Sequence, residues 1–208
     1  MTGRVEHALF DVASALQIPV LILALVAMAV VLLELGGFAI EVLRRRRRDF
    51  ARLEEAVRSA RAAVRVDRAA LASEALRPVA ASVAMGEALE ALVAATGRPD
   101  STPRMAKLLA DFDYRSVRRL ERTRMLVRAG PALGLMGTLI PLSPALAALA
   151  RGDTKRLSDN LRVAFSVTVV GILVGTIAFV ISLVRDRLYG QDLSDLQYVA
   201  AQLSAEER

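Results

Sequence analysis

The sequence predicts an all-α integral membrane protein with three transmembrane helices and extended cytoplasmic helices. Three observations predict it. The chain is 54% hydrophobic yet 24% charged, and the two classes are segregated along it. Three apolar runs, at about 18–43, 129–150 and 163–184, are each long enough to cross a hydrocarbon core of roughly 30 Å. Nothing between them shows the alternation of a strand, whereas several stretches repeat at helical spacing.

The first span, 18–43, opens with Pro19 in its first turn, where a missing N–H costs nothing. The preceding segment, 1–17, carries Glu6 and Asp11, has no basic cluster, and is followed by no small-residue cleavage pattern, so a removed signal peptide is not expected. Arg44, Arg45, Arg46, Arg47 and Arg48 follow the span at once. Five consecutive arginines mark the cytoplasmic side by the positive-inside rule, and their expected role is to meet solvent and lipid headgroups. Glu41, close to them, is expected at headgroup level. The N-terminus then lies outside.

The second span, 129–150, is preceded by Arg115, Arg118, Arg119, Arg122, Arg124 and Arg128, and the third, 163–184, is followed by Arg185 and Arg187. Both flanks belong on the cytoplasmic side, so 151–162 is expected to be an extracytoplasmic loop and 185–208 a cytoplasmic tail. The loop carries Arg151, Lys155, Arg156 and Arg162 against this bias, but the arginine run and the basic approach to the second span outweigh them. The expected place is the cytoplasmic (inner) membrane, N-terminus out and C-terminus in.

The intervening section, 44–128, is too polar to insert. Phe50, Leu53, Val57, Ala60 and Val64 recur at steps of three and four, an amphipathic helix. Gly97 and Pro99 punctuate the chain, and Thr102-Pro103 reads as an N-cap with proline at the first helical position. That helix, through Met105, Leu109, Phe112 and Leu120, is expected to run straight into the second span. The tail restarts after Gly190 as a short amphipathic helix through Leu196, Val199 and Leu203.

Composition also narrows function. There is no cysteine and one histidine, His7, so the sequence holds no material for a thiolate metal site, a disulfide or a histidine-based triad. An enzyme is not expected, nor a cofactor. The net charge of +6 and pI near 10.6 raise nucleic acid as a ligand, but aromatic content is 4% and the arginines flank apolar runs. The lipid bilayer is the partner they point to.

The third span contains no ionisable residue, and Ala164, Thr168, Gly171, Gly175, Ala178 and Ser182 form one stripe along it. Small residues let helix backbones approach and hydroxyls bond across the contact, so the stripe is either a packing seam or a pore wall. The second span opens on Gly130, Gly134, Gly137 and Thr138 and carries Pro141 and Pro144 inside it. Each proline frees a carbonyl that must be satisfied by protein or by water in a cavity. Glu34 is the one ionisable residue well inside a span; it is either a functional carboxylate or a snorkelling partner of Arg44–Arg48.

The stretch Gly130-Pro-Ala-Leu-Gly-Leu-Met-Gly-Thr138 resembles the glycine-rich opening of the second conserved span in ExbB and TolQ. Ala164-Phe-Ser-Val-Thr168-Val-Val-Gly171 resembles the Ala-Leu-x-x-Thr-Ala-x-Gly pattern of the span that follows. The resemblance covers about 126–190 and is to the MotA/TolQ/ExbB ion-channel family. It implies a subunit of a proton- or sodium-driven motor, five copies of which ring two single-span partners of the ExbD/TolR/MotB type. An aspartate in the partner's span takes up and releases H+ or Na+. The ion-path and partner-facing residues it implies are Thr138, Thr168, Gly134, Gly137, Gly171, Gly175, Pro141 and Ser166. Three positions depart from the pattern: Val163 stands where ExbB and TolQ carry glutamate, Ile177 where they carry proline, and Pro141 where many relatives have glycine or another residue. The alternatives are a non-conducting membrane scaffold of the same fold, or a small-solute permease that would have to oligomerise to build a pathway.

Overall fold

The computed structural model of the chain describes residues 2–45 and 49–205. Its order is α1 (Thr2–Ala15), α2 (Gln17–Arg45), α3 (Phe50–Arg65), α4 (Ala69–Leu76), a short 3-10 turn (Arg77–Val79), α5 (Val83–Ala95), α6 (Ser101–Ala150) and α7 (Thr154–Ser204). No strand occurs among the described residues. Three stretches, Phe10–Leu43, Ser101–Ala150 and Thr154–Ser204, are long and apolar enough to cross a membrane. The chain is all-α with three span-length helices, as its apolar runs predict.

The helices divide into two compact units, the first comprising Met1–Gly36 and Glu121–Leu183. Here α2 presents Val20, Ala24, Ala27 and Val31, all buried, at steps of four, three and four. That face packs with Leu133 of α6 and with Val174 and Ala178 of α7, while Met28, Val127, Val170 and Ile177 pack around them. The opposite faces expose Leu25, Leu33, Leu135, Leu139, Phe165 and Val169, the apolar exterior that a helix bundle offers to lipid.

The tip joining α6 to α7 is shorter than the expected 151–162 loop. Only Arg151–Asp153 separate the helices. Gly152 adopts a left-handed φ of +73°, and Ala148 O accepts from both Arg151 N and Asp153 N at 3.1 and 3.0 Å. This closes α6 in the manner of a glycine C-terminal cap. Asp153 then caps α7, its Oδ1 accepting from Arg156 N at 2.9 Å. Residues 154–162 are polar yet helical, because the end of an apolar run does not end a helix.

The second unit comprises Gly37–Leu120 and Val184–Arg208. The amphipathic pattern of α3 buries Leu53, Val57 and Ala60. These meet Leu76 of α4, Met85, Leu89 and Leu92 of α5, Met105 and Phe112 of α6, and Leu196, Val199 and Leu203 of α7 in one core. Asp49 caps α3 by accepting from Ala51 N at 3.1 Å, and Ser82 caps α5 by accepting from Met85 N at 3.1 Å. Two expected boundaries shift. The sixth helix begins at Ser101, so Thr102 lies inside its first turn and is not the cap. The tail does not restart at Gly190, since α7 runs unbroken from Thr154 to Ser204. One glycine costs a helix only about 1 kcal/mol, and burial of the three apolar residues beyond it outweighs that.

Candidate functional site

The hairpin of α6 and α7 is assembled by its glycines. A Cβ added at Gly130 would sit 2.6 Å from Gly171 O and 2.7 Å from Gly175 N; one at Gly171 would sit 2.5 Å from Gly130 O and 2.7 Å from Gly134 Cα. The two backbones therefore touch, at a distance no side chain permits. Gly134 lies against the backbone of Thr168, Gly137 accommodates the side chain of Val167, and the Pro131 ring rests on Gly175. Gly134, Gly137, Gly171 and Gly175 thus form a packing seam within one chain. Pro131, whose ring completes that seam, is a contact sequence reasoning did not single out.

On this hairpin the hydroxyl residues Thr138 and Thr168 are half-buried, and Ser166 and Thr176 are exposed. Thr168 Oγ1 donates towards Gly134 O across the helix pair and towards Ala164 O along its own helix, both at 3.2 Å. Thr138, half-buried, donates to Leu135 O at 2.8 Å. Ser166 donates to Arg162 O at 2.8 Å and is exposed on the outer face of α7, away from the seam. Thr176, also exposed, does the same to Ile172 O at 2.9 Å. Each hydroxyl hydrogen is committed to a carbonyl, so what these side chains offer outward is oxygen lone pairs. Lone pairs solvate a cation or accept from a neutral acid; they do not bind a carboxylate.

Pro141 is buried and Pro144 half-buried, and α6 continues through both and through Pro131. Ile177 packs on the core shared with α2, while Val163 is 37% exposed. Glu34 is half-buried on α2.

The sequence model of the MotA/TolQ/ExbB proton channel family matches residues 74–195, more than half of the chain, including all of α6 and the third span within α7. The chain belongs to the MotA/TolQ/ExbB proton channel family. No curated protein matches it. Membership makes it a multi-pass membrane protein of a family that conducts protons and works in membrane complexes, a transport family and not an enzyme class.

One residue inside the matched MotA/TolQ/ExbB region, Asp192, carries a cluster invisible to the sequence reading. Arg45, expected to meet solvent or headgroups, is instead buried: Nη1 and Nη2 donate to the two oxygens of Asp192 at 2.8 and 2.7 Å. The same guanidinium donates to Leu188 O and to Glu41, both at 3.2 Å, and Arg185 Nε donates to the other Glu41 oxygen at 3.3 Å. Glu41 is accordingly an ion-pair partner within the chain, with Arg45 and Arg185. The cause is plain: Arg45 stands one helical turn after Glu41 on the face of α2 that meets α7, so its guanidinium enters the contact. Arg44 lies in the last turn of α2, and Arg46, Arg47 and Arg48 lie outside the described residues. Burial pushes the Tyr189 phenol above its ordinary pKa of 10.0 and Glu41 adds to this, while Arg185, Arg119 and Arg45 pull it back.

Proposed function

We propose that the chain is the ring-forming subunit of an ion-driven machine of the inner membrane, N-terminus out and C-terminus in. Five copies surround a single-span partner of the ExbD/TolR/MotB type, and an aspartate in the partner's span carries the proton or sodium ion. One observation carries this reading. The spans 129–150 and 163–184 contain no ionisable side chain, and Thr138 and Thr168, with their hydrogens given to main-chain carbonyls, present acceptors. Such a wall stabilises a hydrated cation or a protonated carboxyl beside it and cannot itself hold the transferred proton. The carboxyl must come from elsewhere, and a partner helix supplies it. Thr138 and Thr168 are the residues assigned to meet it. The glycines act indirectly, by bringing the two helices close together.

The test is co-expression with a single-span partner bearing an intramembrane aspartate, followed by proton and sodium flux in proteoliposomes. Flux is expected only when both proteins are present, and Thr138→Val with Thr168→Val is expected to lower it while Thr→Ser at both sites retains it. Undiminished flux in the double valine variant removes the two threonines from the path.

A further inference from the structure

We infer that four charges, the buried Arg45 and Asp192 and the half-buried Glu41 and Arg185, form a two-point key that sets the register of α2 along α7. Apolar packing does not set it. The faces these helices bring together repeat Val20, Ala24, Ala27, Val31 on one side and Val170, Val174, Ala178 on the other. Sliding one past the other by a turn puts similar small or β-branched side chains opposite each other again. Between helices in lipid the apolar contact has no hydrophobic driving force of its own, so it favours neither register over the other.

The charges break that degeneracy. On α2 an acid precedes a base by four residues, Glu41 then Arg45; on α7 a base precedes an acid by seven, Arg185 then Asp192. In the observed register both pairs form, at 2.7 Å for Arg45–Asp192 and 3.3 Å for Arg185–Glu41. Moving α2 one turn towards the start of α7 sets Arg45 beside Leu188 and Glu41 beside Ile181 or Ser182, which loses both pairs. Moving it one turn the other way sets Arg45 beside Asp195 and Leu196, but Glu41 then faces Leu188 and Tyr189 and the second pair is lost. One register satisfies both points. The Asp192 side chain is 1% exposed and that of Arg45 6% exposed. A guanidinium or carboxylate this deep cannot be left unpaired in a slipped arrangement without a large desolvation cost. All four Nη hydrogens of Arg45 have acceptors, and only its Nε lacks one among the described residues.

The key separates register from stability, since a buried ion pair replaced by apolar side chains of similar size commonly leaves a protein as stable as before. The chain has no cysteine, so Leu43→Cys and Gln197→Cys, both exposed, supply clean spin-label sites on α2 and α7. Labelled full-length chains are diluted with unlabelled ones in lipid nanodiscs, and the intramolecular distance is read by pulsed electron spin resonance. The parent is expected to give a single distance. Arg45→Met with Asp192→Leu is expected to stay helical and to add a population displaced by about 5 Å, one helical turn. The milder Glu41→Gln with Arg185→Gln, which leaves Arg45 to choose between Asp192 and Asp195, is expected to add such a population too. A single, unshifted distance in both variants overturns the key and assigns register to apolar packing.

Discussion

Gly171 shows how much a single hydrogen in place of a methyl group decides. Its missing Cβ is what lets Gly130 O approach, so Gly171→Ala is expected to destabilise the chain by about 1–3 kcal/mol through forced separation of the backbones. Gly36→Ala, at a position with open space, is the control and is expected to leave thermal stability in detergent unchanged. Tyr189 gives a second expectation at this scale. Its pKa is raised on folding, so the neutral phenol is the form the native state favours. The associated stability is fully present below the unfolded value near 10.0 and is lost as pH rises through the still higher folded value. Denaturation midpoints should therefore fall above about pH 10, and Tyr189→Phe should flatten that part of the profile. A profile of the same steepness in the phenylalanine variant places the titration elsewhere.

Between elements, the α6–α7 hairpin is held by shape, and shape predicts coupling. Gly137 and Val167 occupy each other's space, so Gly137→Ala forces Val167 aside. The double variant Gly137→Ala with Val167→Ala is expected to be less destabilised than the sum of the singles, by roughly 1 kcal/mol, as contacting residues couple. Strict additivity in thermal or steric-trapping measurements means the pair does not touch. Several of these elements were legible beforehand. The helical spacing of Phe50 to Val64 gave α3, although Phe50 itself ends exposed, and the apolar runs gave the spans. The tip was legible in principle, since Gly152-Asp153 is a C-terminal glycine followed by an N-cap, yet polarity alone suggested a longer loop. Helix α5 went unread because its apolar residues occur almost all round and leave no periodic signature, with Met85, Ala88, Leu89, Leu92, Val93 and Ala95 all buried.

For the whole molecule, the second and third spans contain no titratable group, and the proposed carrier is a partner's aspartate rather than Glu34. On the proposed reading, Glu34→Gln is expected to leave partner-dependent flux within about twofold, whereas aspartate to asparagine in the partner's span is expected to abolish it. The reverse outcome assigns the carrier role to Glu34. Native mass spectrometry of the co-purified complex is expected to give five copies of this chain, and a monomer free of partner counts against the ring.

By itself the sequence determined the helical class, the three spans and the small-residue stripes, because each is written in local periodicity and in the segregation of charge from apolar residues. It also determined that the second and third spans carry no proton-holding group, since that follows from residue type alone. What only the tertiary structure decided is what each face meets. The glycines of α6 and α7 turned out to face each other, and Arg45, within the arginine run, turned inward to a carboxylate 147 positions away. A helix face shows in sequence which residues it groups together. The partner of that face depends on contacts between distant segments, and those exist only once the chain has folded.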